Sequence, residues 1–164
     1  MIKKILLAAY LITITFYQSF AQEKQLYGFG DLDWNTSMQT VKDYMKNKYD
    51  MLPGYEKNDA IGFQGGRYLD KDLYLWVYFF GEEGLNEVDL IIRNNNSPVG
   101  GIFDQVTHQL ITEYGNPDLY KPDDWNAEWF YYDFSGKKLN ATIKVSSYEY
   151  NQRTTIKITF LSIE

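Results

Sequence analysis

The sequence contains no cysteine, a single histidine and only four prolines among its 164 residues. Without cysteine no disulfide can form, so stability must come from a packed core, which the 10 Phe, 15 Tyr and 4 Trp can supply. Zinc sites and Cys-His or Ser-His catalysis also lack the residues from which they are built. The composition therefore predicts no metal centre, no cofactor and no catalytic residues.

The N-terminal segment has the pattern of an export signal. Two lysines precede an apolar run over residues 5–16, which is too short to span a bilayer that needs about 20 residues. Ser19 and Ala21 are small residues at the two positions that determine cleavage. We expect residues 1–21 to be a cleaved signal peptide and the product to be periplasmic or secreted, with no membrane span.

The remaining chain is acidic. The signal segment holds two of the 16 basic residues and none of the 22 acidic residues, so residues 22–164 carry a net charge of −8. Nucleic acids and anionic membranes are recognised by basic surfaces, so neither is an expected partner. The length suits one domain that buries about two-thirds of its unfolded surface. We expect a single α+β domain over residues 22–164.

The clearest element is a helix that ends at Tyr114. Ser97 and Pro98 suit its first positions, while Gly115 and Pro117 form a stop signal. Between these signals, apolar side chains recur at helical spacing on one stripe: Val99, Ile102, Phe103, Val106, Leu110 and Tyr114. The width of the stripe is typical of a helix that lies on a sheet.

The other segments alternate between strand and turn signals. A first helix is expected over residues 37–49, where Thr36 and Gln39 have the spacing of a capping box. Strand-like runs follow at residues 61–69, 73–80 and 85–93, and again at residues 127–134, 139–147 and 154–163. We expect two pseudo-repeats, residues 22–93 and 94–164, that share an antiparallel sheet with both helices on one face. One helix-plus-sheet domain with accidental symmetry is the alternative.

This order of elements resembles the tandem helix-plus-antiparallel-sheet fold of the beta-lactamase inhibitory protein. The helix ending Tyr114-Gly115-x-Pro117 is similar to that of the related small envelope lipoproteins of the outer-membrane assembly machinery. The Gly84-Leu85 hairpin is similar to one in small exported proteins of Bacteroidetes-like bacteria. The chain departs from these groups because its first helix lacks Gly-x-Pro and it has neither a lipidation cysteine nor the disulfides of the inhibitor. The resemblance implies a fold and a habit of binding proteins.

Residues for acid-base or metal chemistry are few. His108 lies opposite the apolar stripe, so we expect it to face solvent. The acids of the following loop, which lack the spacing of a calcium site, are Asp118, Asp123, Asp124 and Glu128. Paired carboxylates beside aromatic residues are also typical of glycosidases. A glycan-binding or carbohydrate-active protein that uses these acids with Trp76, Trp125 and Trp129 as stacking platforms is the alternative function.

An aromatic row stands out in the second strand-like run. Because alternate residues of a strand point to opposite faces, we expect Tyr74, Trp76 and Tyr78 to share the face away from the helices. The residues then expected to face the helices are Leu73, Leu75, Val77 and Phe79. Trp129 and Tyr131 extend the row, and such side chains often dominate interface energies. The competing interpretation is that the row packs against an N-terminal arm at residues 22–33, the other half or a second copy of the protein.

Together these features predict an exported, non-enzymatic binding protein of the bacterial envelope. Its expected partner is another envelope or extracellular protein, and self-association into a homo-oligomer is left open. The predicted binding residues are Tyr74, Trp76, Tyr78, Trp129 and Tyr131.

Overall fold

The structure is a computed structural model, and it describes residues 26–94, 99–132, 138–150 and 153–162. The signal segment and the predicted helix start at Ser97 and Pro98 lie outside these residues. The described part contains two α-helices, α1 (Met38–Tyr49) and α2 (Val99–Tyr114), together with a mostly antiparallel set of strands. The predicted α+β class is confirmed.

Eight strands form the main sheet, and four more form two small hairpins. The strands of the main sheet are β3 (Tyr55–Lys57), β4 (Ala60–Gln64), β7 (Leu75–Phe80), β8 (Leu85–Asn94), β9 (Leu119–Lys121), β10 (Asn126–Tyr132), β11 (Lys138–Tyr150) and β12 (Arg153–Ser162). The hairpins are β1 (Gly28–Phe29) with β2 (Leu32–Asp33), and β5 (Arg67–Tyr68) with β6 (Lys71–Asp72). The order across the main sheet is β3-β4-β7-β8-β12-β11-β10-β9, so β8 and β12 pair at its centre.

The first helix begins one residue later than the capping box predicts. The Ser37 hydroxyl accepts a hydrogen bond from the Thr40 amide at 3.2 Å, so Ser37 rather than Thr36 is the N-cap. The helix ends at Tyr49 because Asp50 adopts the left-handed conformation, with φ of 53°. The predicted range of 37–49 is therefore correct to within one residue.

The second helix ends where its stop signal predicts. Gly115 has φ of 83°, and its amide donates to the Ile111 carbonyl at 2.8 Å. The buried members of the apolar stripe are Ile102, Phe103, Val106 and Leu110. Tyr114 is half-buried, and His108 is exposed, as predicted.

The core covers one face of the main sheet, which we call the inner face. Strand pairing aligns two buried rows across it: Ile61, Tyr78, Val88, Phe160, Ile143 and Trp129, and next to them Phe63, Trp76, Leu90, Ile158, Val145 and Ala127. The Tyr78 hydroxyl donates to the Met45 sulfur of α1 at 3.3 Å. Tyr114 of α2 packs on Phe160, with ring centroids 6.2 Å apart.

The predicted orientation of β7 is wrong. Trp76 and Tyr78 lie on the inner face, where Trp76 packs against Tyr49 of α1 at a centroid distance of 5.5 Å. Both also contact Phe29 of the β1–β2 hairpin, at 5.9 and 6.4 Å. This packing against the N-terminal arm agrees with the competing interpretation of the aromatic row.

The neighbouring strand β8 explains this orientation. Strand β7 is apolar on both faces, so its own alternation does not decide which face is buried. Val77 pairs with Asp89, whereas Tyr78 pairs with Val88. Acidic and aliphatic residues alternate along this part of β8. When the aliphatic side of β8 is buried, its pairing with β7 places Tyr78 on the same buried face.

Two segments outside the predicted helices and strands contain short edge strands. Residues 55–60 include β3, and residues 116–124 include β9 and one 3₁₀ turn, Pro122–Asp124. All three residues of β3 are exposed, so its sequence lacks the alternation of apolar and polar residues that predicts a strand. The predicted strand 61–69 is also shorter, because it ends at Gln64 and the chain turns into the β5–β6 hairpin.

Candidate binding surface

Four of the five predicted binding residues lie in the core. Tyr78 has no exposed surface, Trp76 and Trp129 are each 2% exposed, and Tyr131 is 8% exposed. The Trp129 indole donates to the Gly115 carbonyl at 2.8 Å and so ties β10 to the end of α2. Tyr74 is 45% exposed. The expectation of an exposed row is therefore wrong for the four buried residues and holds for Tyr74 alone.

The opposite side of the main sheet, which we call the outer face, carries apolar side chains that remain half-exposed. Four of them lie on the adjacent strands β7, β8 and β12, namely Leu75, Phe79, Ile91 and Leu161. We call these four residues the outer patch. Leu75 pairs with Ile91, and Phe79 and Leu161 flank Glu87 from either side. Val77 lies between them and is 7% exposed.

Side chains of both small hairpins contact the inner face of the main sheet. Phe29 of the β1–β2 hairpin packs on Phe160 at a centroid distance of 4.7 Å, and Tyr68 of the β5–β6 hairpin packs on the same ring at 6.0 Å. The two helices reach Tyr78 and Phe160 through Met45 and Tyr114. The apolar side chains of the outer patch keep part of their surface exposed under this arrangement.

A charged cluster crosses the outer patch. The Lys157 ammonium lies 2.7 Å from an Asp89 oxygen and 3.9 Å from Glu87, and the Thr159 hydroxyl donates to the other Asp89 oxygen at 2.7 Å. Asp89 is 4% exposed, so these two partners offset the cost of burying its charge. Burial, reinforced by the neighbouring Asp89, raises the pKa of the Glu87 carboxyl above its usual range.

Tyr74 stands at the border of the outer patch. The Arg93 guanidinium lies 3.5 Å from the centroid of the Tyr74 ring, a cation–π contact. The Tyr74 amide donates to the Ile91 carbonyl at 2.8 Å, which fixes the chain beside the patch. Tyrosine and arginine are enriched among the residues that contribute most to protein interfaces.

The outer face of β11 is polar. Lys144 is exposed and forms an ion pair with Glu128 at 3.3 Å, while Ser146 is half-exposed. Ile143 and Val145, which alternate with them, are buried. This part of the sheet therefore forms a hydrophilic border to the outer patch.

The loop acids serve local structure or face solvent. Asp118 accepts a hydrogen bond from the Phe130 amide at 2.6 Å and so holds the loop to β10. Asp123 and Asp124 are exposed in the 3₁₀ turn, and Trp125 packs edge-on against Phe103 at 5.8 Å. Among the described residues, no group of three or more His, Cys, Asp or Glu side chains could hold a metal ion. No helix in the described part of the chain has the length and apolar character needed to cross a membrane.

The outer patch was missed from the sequence because its members look like ordinary core residues. The signal that could have found it is the acidic alternation of Glu87 and Asp89, which marks the outward side of β8. Comparison of the chain with models of protein families, with curated proteins and with solved structures finds no match. A proposal for the function of the chain therefore depends on the geometry of the described residues.

Proposed function

We propose that the chain is an exported, non-enzymatic binding protein of the bacterial envelope whose partner is another envelope or extracellular protein. The observation that supports this is the outer patch: half-exposed apolar side chains on a sheet, crossed by a charged cluster and bordered by polar residues. An apolar centre with a polar rim is the usual anatomy of a protein interface. Strands of a continuous sheet also hold such side chains in fixed positions, which lowers the entropy lost on binding.

The proposed architecture is two pseudo-repeats that share one sheet, with both helices on one face. Strands β3, β4, β7 and β8 run inward from one edge, and β9, β10, β11 and β12 run inward from the other, which supports the repeat. Met45 of α1 and Tyr114 of α2 contact Tyr78 and Phe160, which belong to the same inner row. Such an arrangement is the one that the resemblance to the beta-lactamase inhibitory protein implies, and in it the outer patch lies on the face opposite the helices.

Export is part of the same proposal. It is supported by the basic and apolar segments at the start of the sequence, by the small residues Ser19 and Ala21, and by an acidic remainder. The glycan alternative has less support, because Trp76 and Trp129 are each 2% exposed and cannot act as stacking platforms in this conformation.

Site-specific photo-crosslinking in the envelope tests the proposal. A photoreactive amino acid replaces Ile91 in the outer patch, and in a matched variant it replaces Leu52, an apolar residue that is 70% exposed outside the main sheet. We expect ultraviolet light to attach a protein at position 91 and none at position 52. An adduct of twice the chain mass would identify a second copy as the partner. Adducts at position 52 alone, or none at position 91, would contradict the proposed surface.

A further inference from the structure

A cavity lies away from the outer face, between the β1–β2 hairpin and the end of α2. Its volume is about 350 Å³. Aromatic rings and two carboxylates line it: Tyr27, Phe29, Tyr114, Phe160, Asp33 and Glu113. This volume is near the lower end of pockets that bury small ligands, about 300 to 1,000 Å³. The cavity therefore suits a small molecule rather than a polymer.

The two carboxylates at this cavity belong to exposed residues. Neither Asp33 nor Glu113 forms an ion pair with another residue in the described part of the chain. Burial raises the pKa of the Tyr114 hydroxyl to about 12, and the negative charge of the neighbouring Glu113 contributes to this shift. The cavity thus presents negative charge beside aromatic rings.

The nearby cations are already paired. A smaller cavity of about 140 Å³ adjoins the first and is lined in part by Lys48 and Arg67. The Lys48 ammonium lies 2.5 Å from Asp31, and the Arg67 guanidinium lies 3.8 Å from Asp70. Each of these cations therefore has a carboxylate partner of its own.

We propose that the larger cavity binds a small organic ammonium ion. Aromatic rings attract a cation through their quadrupole, and quaternary ammonium ligands are recognised by clusters of such rings. Tyr27 and Tyr114 supply the more exposed rings, and Asp33 and Glu113 supply the balancing charge. This function is separate from protein binding at the outer patch, so a failure of one proposal leaves the other untouched.

Calorimetric titration of the purified protein with choline, and in parallel with 3,3-dimethylbutan-1-ol, tests the proposal. The alcohol has the shape of choline but carries carbon in place of the charged nitrogen. A cation–π contribution of about 0.5 to 2 kcal/mol corresponds to about 2- to 30-fold in affinity. We expect choline to bind saturably and about tenfold more tightly than the alcohol. Equal affinities, or no saturable binding of choline, would overturn the proposal.

Three variants locate the binding. Glu113→Gln removes one charge, and Tyr27→Leu removes a ring that is 66% exposed and therefore contributes little to folding. We expect each to weaken choline binding several-fold and to leave the affinity for the alcohol unchanged. Glu82→Gln, in the exposed turn between β7 and β8, is the matched control and should change neither affinity. If the control variant weakens choline binding as much as Glu113→Gln, the effect is one of overall charge, and the proposed site is wrong.

Discussion

Trp76 is held between Tyr49 of α1 and Phe29 of the N-terminal hairpin, and it stacks on Tyr78 with an interplanar angle of 12°. At the scale of single residues, this packing makes Trp76 a core residue that joins a strand, a helix and the arm. Its indole Nε1 is buried without a hydrogen-bond partner in the described structure. The large apolar area of the ring must therefore offset the cost of that unpaired donor.

The first prediction compares Trp76 with Tyr74, which lies two positions earlier in the sequence and differs in burial. Trp76→Ala should lower the free energy of unfolding by about 3 to 5 kcal/mol, because it leaves a cavity in the core. Tyr74→Ala should lower it by about 1 kcal/mol or less, since 45% of that side chain is exposed. Urea unfolding followed by circular dichroism measures both. Similar values for the two variants would show that the inner face is not packed as described.

The second prediction concerns Glu87 and pH. Its raised pKa means that the folded state favours the protonated carboxyl, with burial the larger cause and Asp89 adding to it, while Lys157 acts in the opposite direction. The resulting stability is fully present below the ordinary pKa of 4.5 and is lost as pH rises through the raised value. Glu87→Gln, which stays neutral, should therefore be more stable than the native protein at pH 7.

The comparison with pH 4 provides the check. There Glu87 is largely protonated, so the advantage of Glu87→Gln should shrink. Glu83→Gln, in the exposed turn between β7 and β8, is the matched control for the same substitution at an exposed position. A Glu87→Gln variant that is less stable than the native protein at pH 7 would mean that the Lys157 ion pair outweighs burial.

At the scale of elements, the helices were predictable and the sheet only partly so. Helix α2 is marked by Gly115 and by a stripe that includes Phe103 and Leu110, all of which are local signals. The inward side of β7 depends on its register with β8, and register is a property of two strands rather than one. The edge strands β3 and β9 are stabilised by their pairing partners, so their sequences alone do not reveal them.

The third prediction tests the orientation of α2. Leu110 is fully buried and His108, two residues earlier, is exposed. Leu110→Ala should therefore remove about 2 to 5 kcal/mol of stability, while His108→Ala should change it by less than about 0.5 kcal/mol. Thermal and urea unfolding of the two variants measure the difference. The reverse order would mean that the helix is rotated and that His108 should be reconsidered as a functional residue.

At the scale of the whole molecule, β8 and β12 pair at the centre of an eight-stranded sheet whose two faces differ. The inner face contains the aromatic and aliphatic rows of the core, and the outer face carries the outer patch and its charged cluster. Sequence patterns assigned the two faces of β7 the wrong way round. The candidate surface therefore depends on a three-dimensional relation that no single strand encodes.

The fourth prediction is export with cleavage of the first 21 residues. The protein isolated from the envelope or the medium should begin at or near Gln22, because Ser19 and Ala21 occupy the cleavage-determining positions. N-terminal sequencing or intact mass spectrometry measures this directly. An envelope protein that still carries Met1 would show that the segment is not a cleaved signal.

The most direct test of the proposed binding surface uses the partner protein that crosslinks to position 91. The affinity of this partner is measured for the native chain and for two variants. Ile91→Ser removes an apolar side chain of the outer patch, and Leu52→Ser removes a more exposed one elsewhere. Calorimetry is performed under conditions where circular dichroism shows both variants to be folded. We predict that Ile91→Ser weakens binding by about tenfold or more, equivalent to about 1.4 kcal/mol, and that Leu52→Ser leaves it unchanged. Unchanged affinity for Ile91→Ser, or equal losses for both variants, would contradict the assignment of the outer patch as the binding surface.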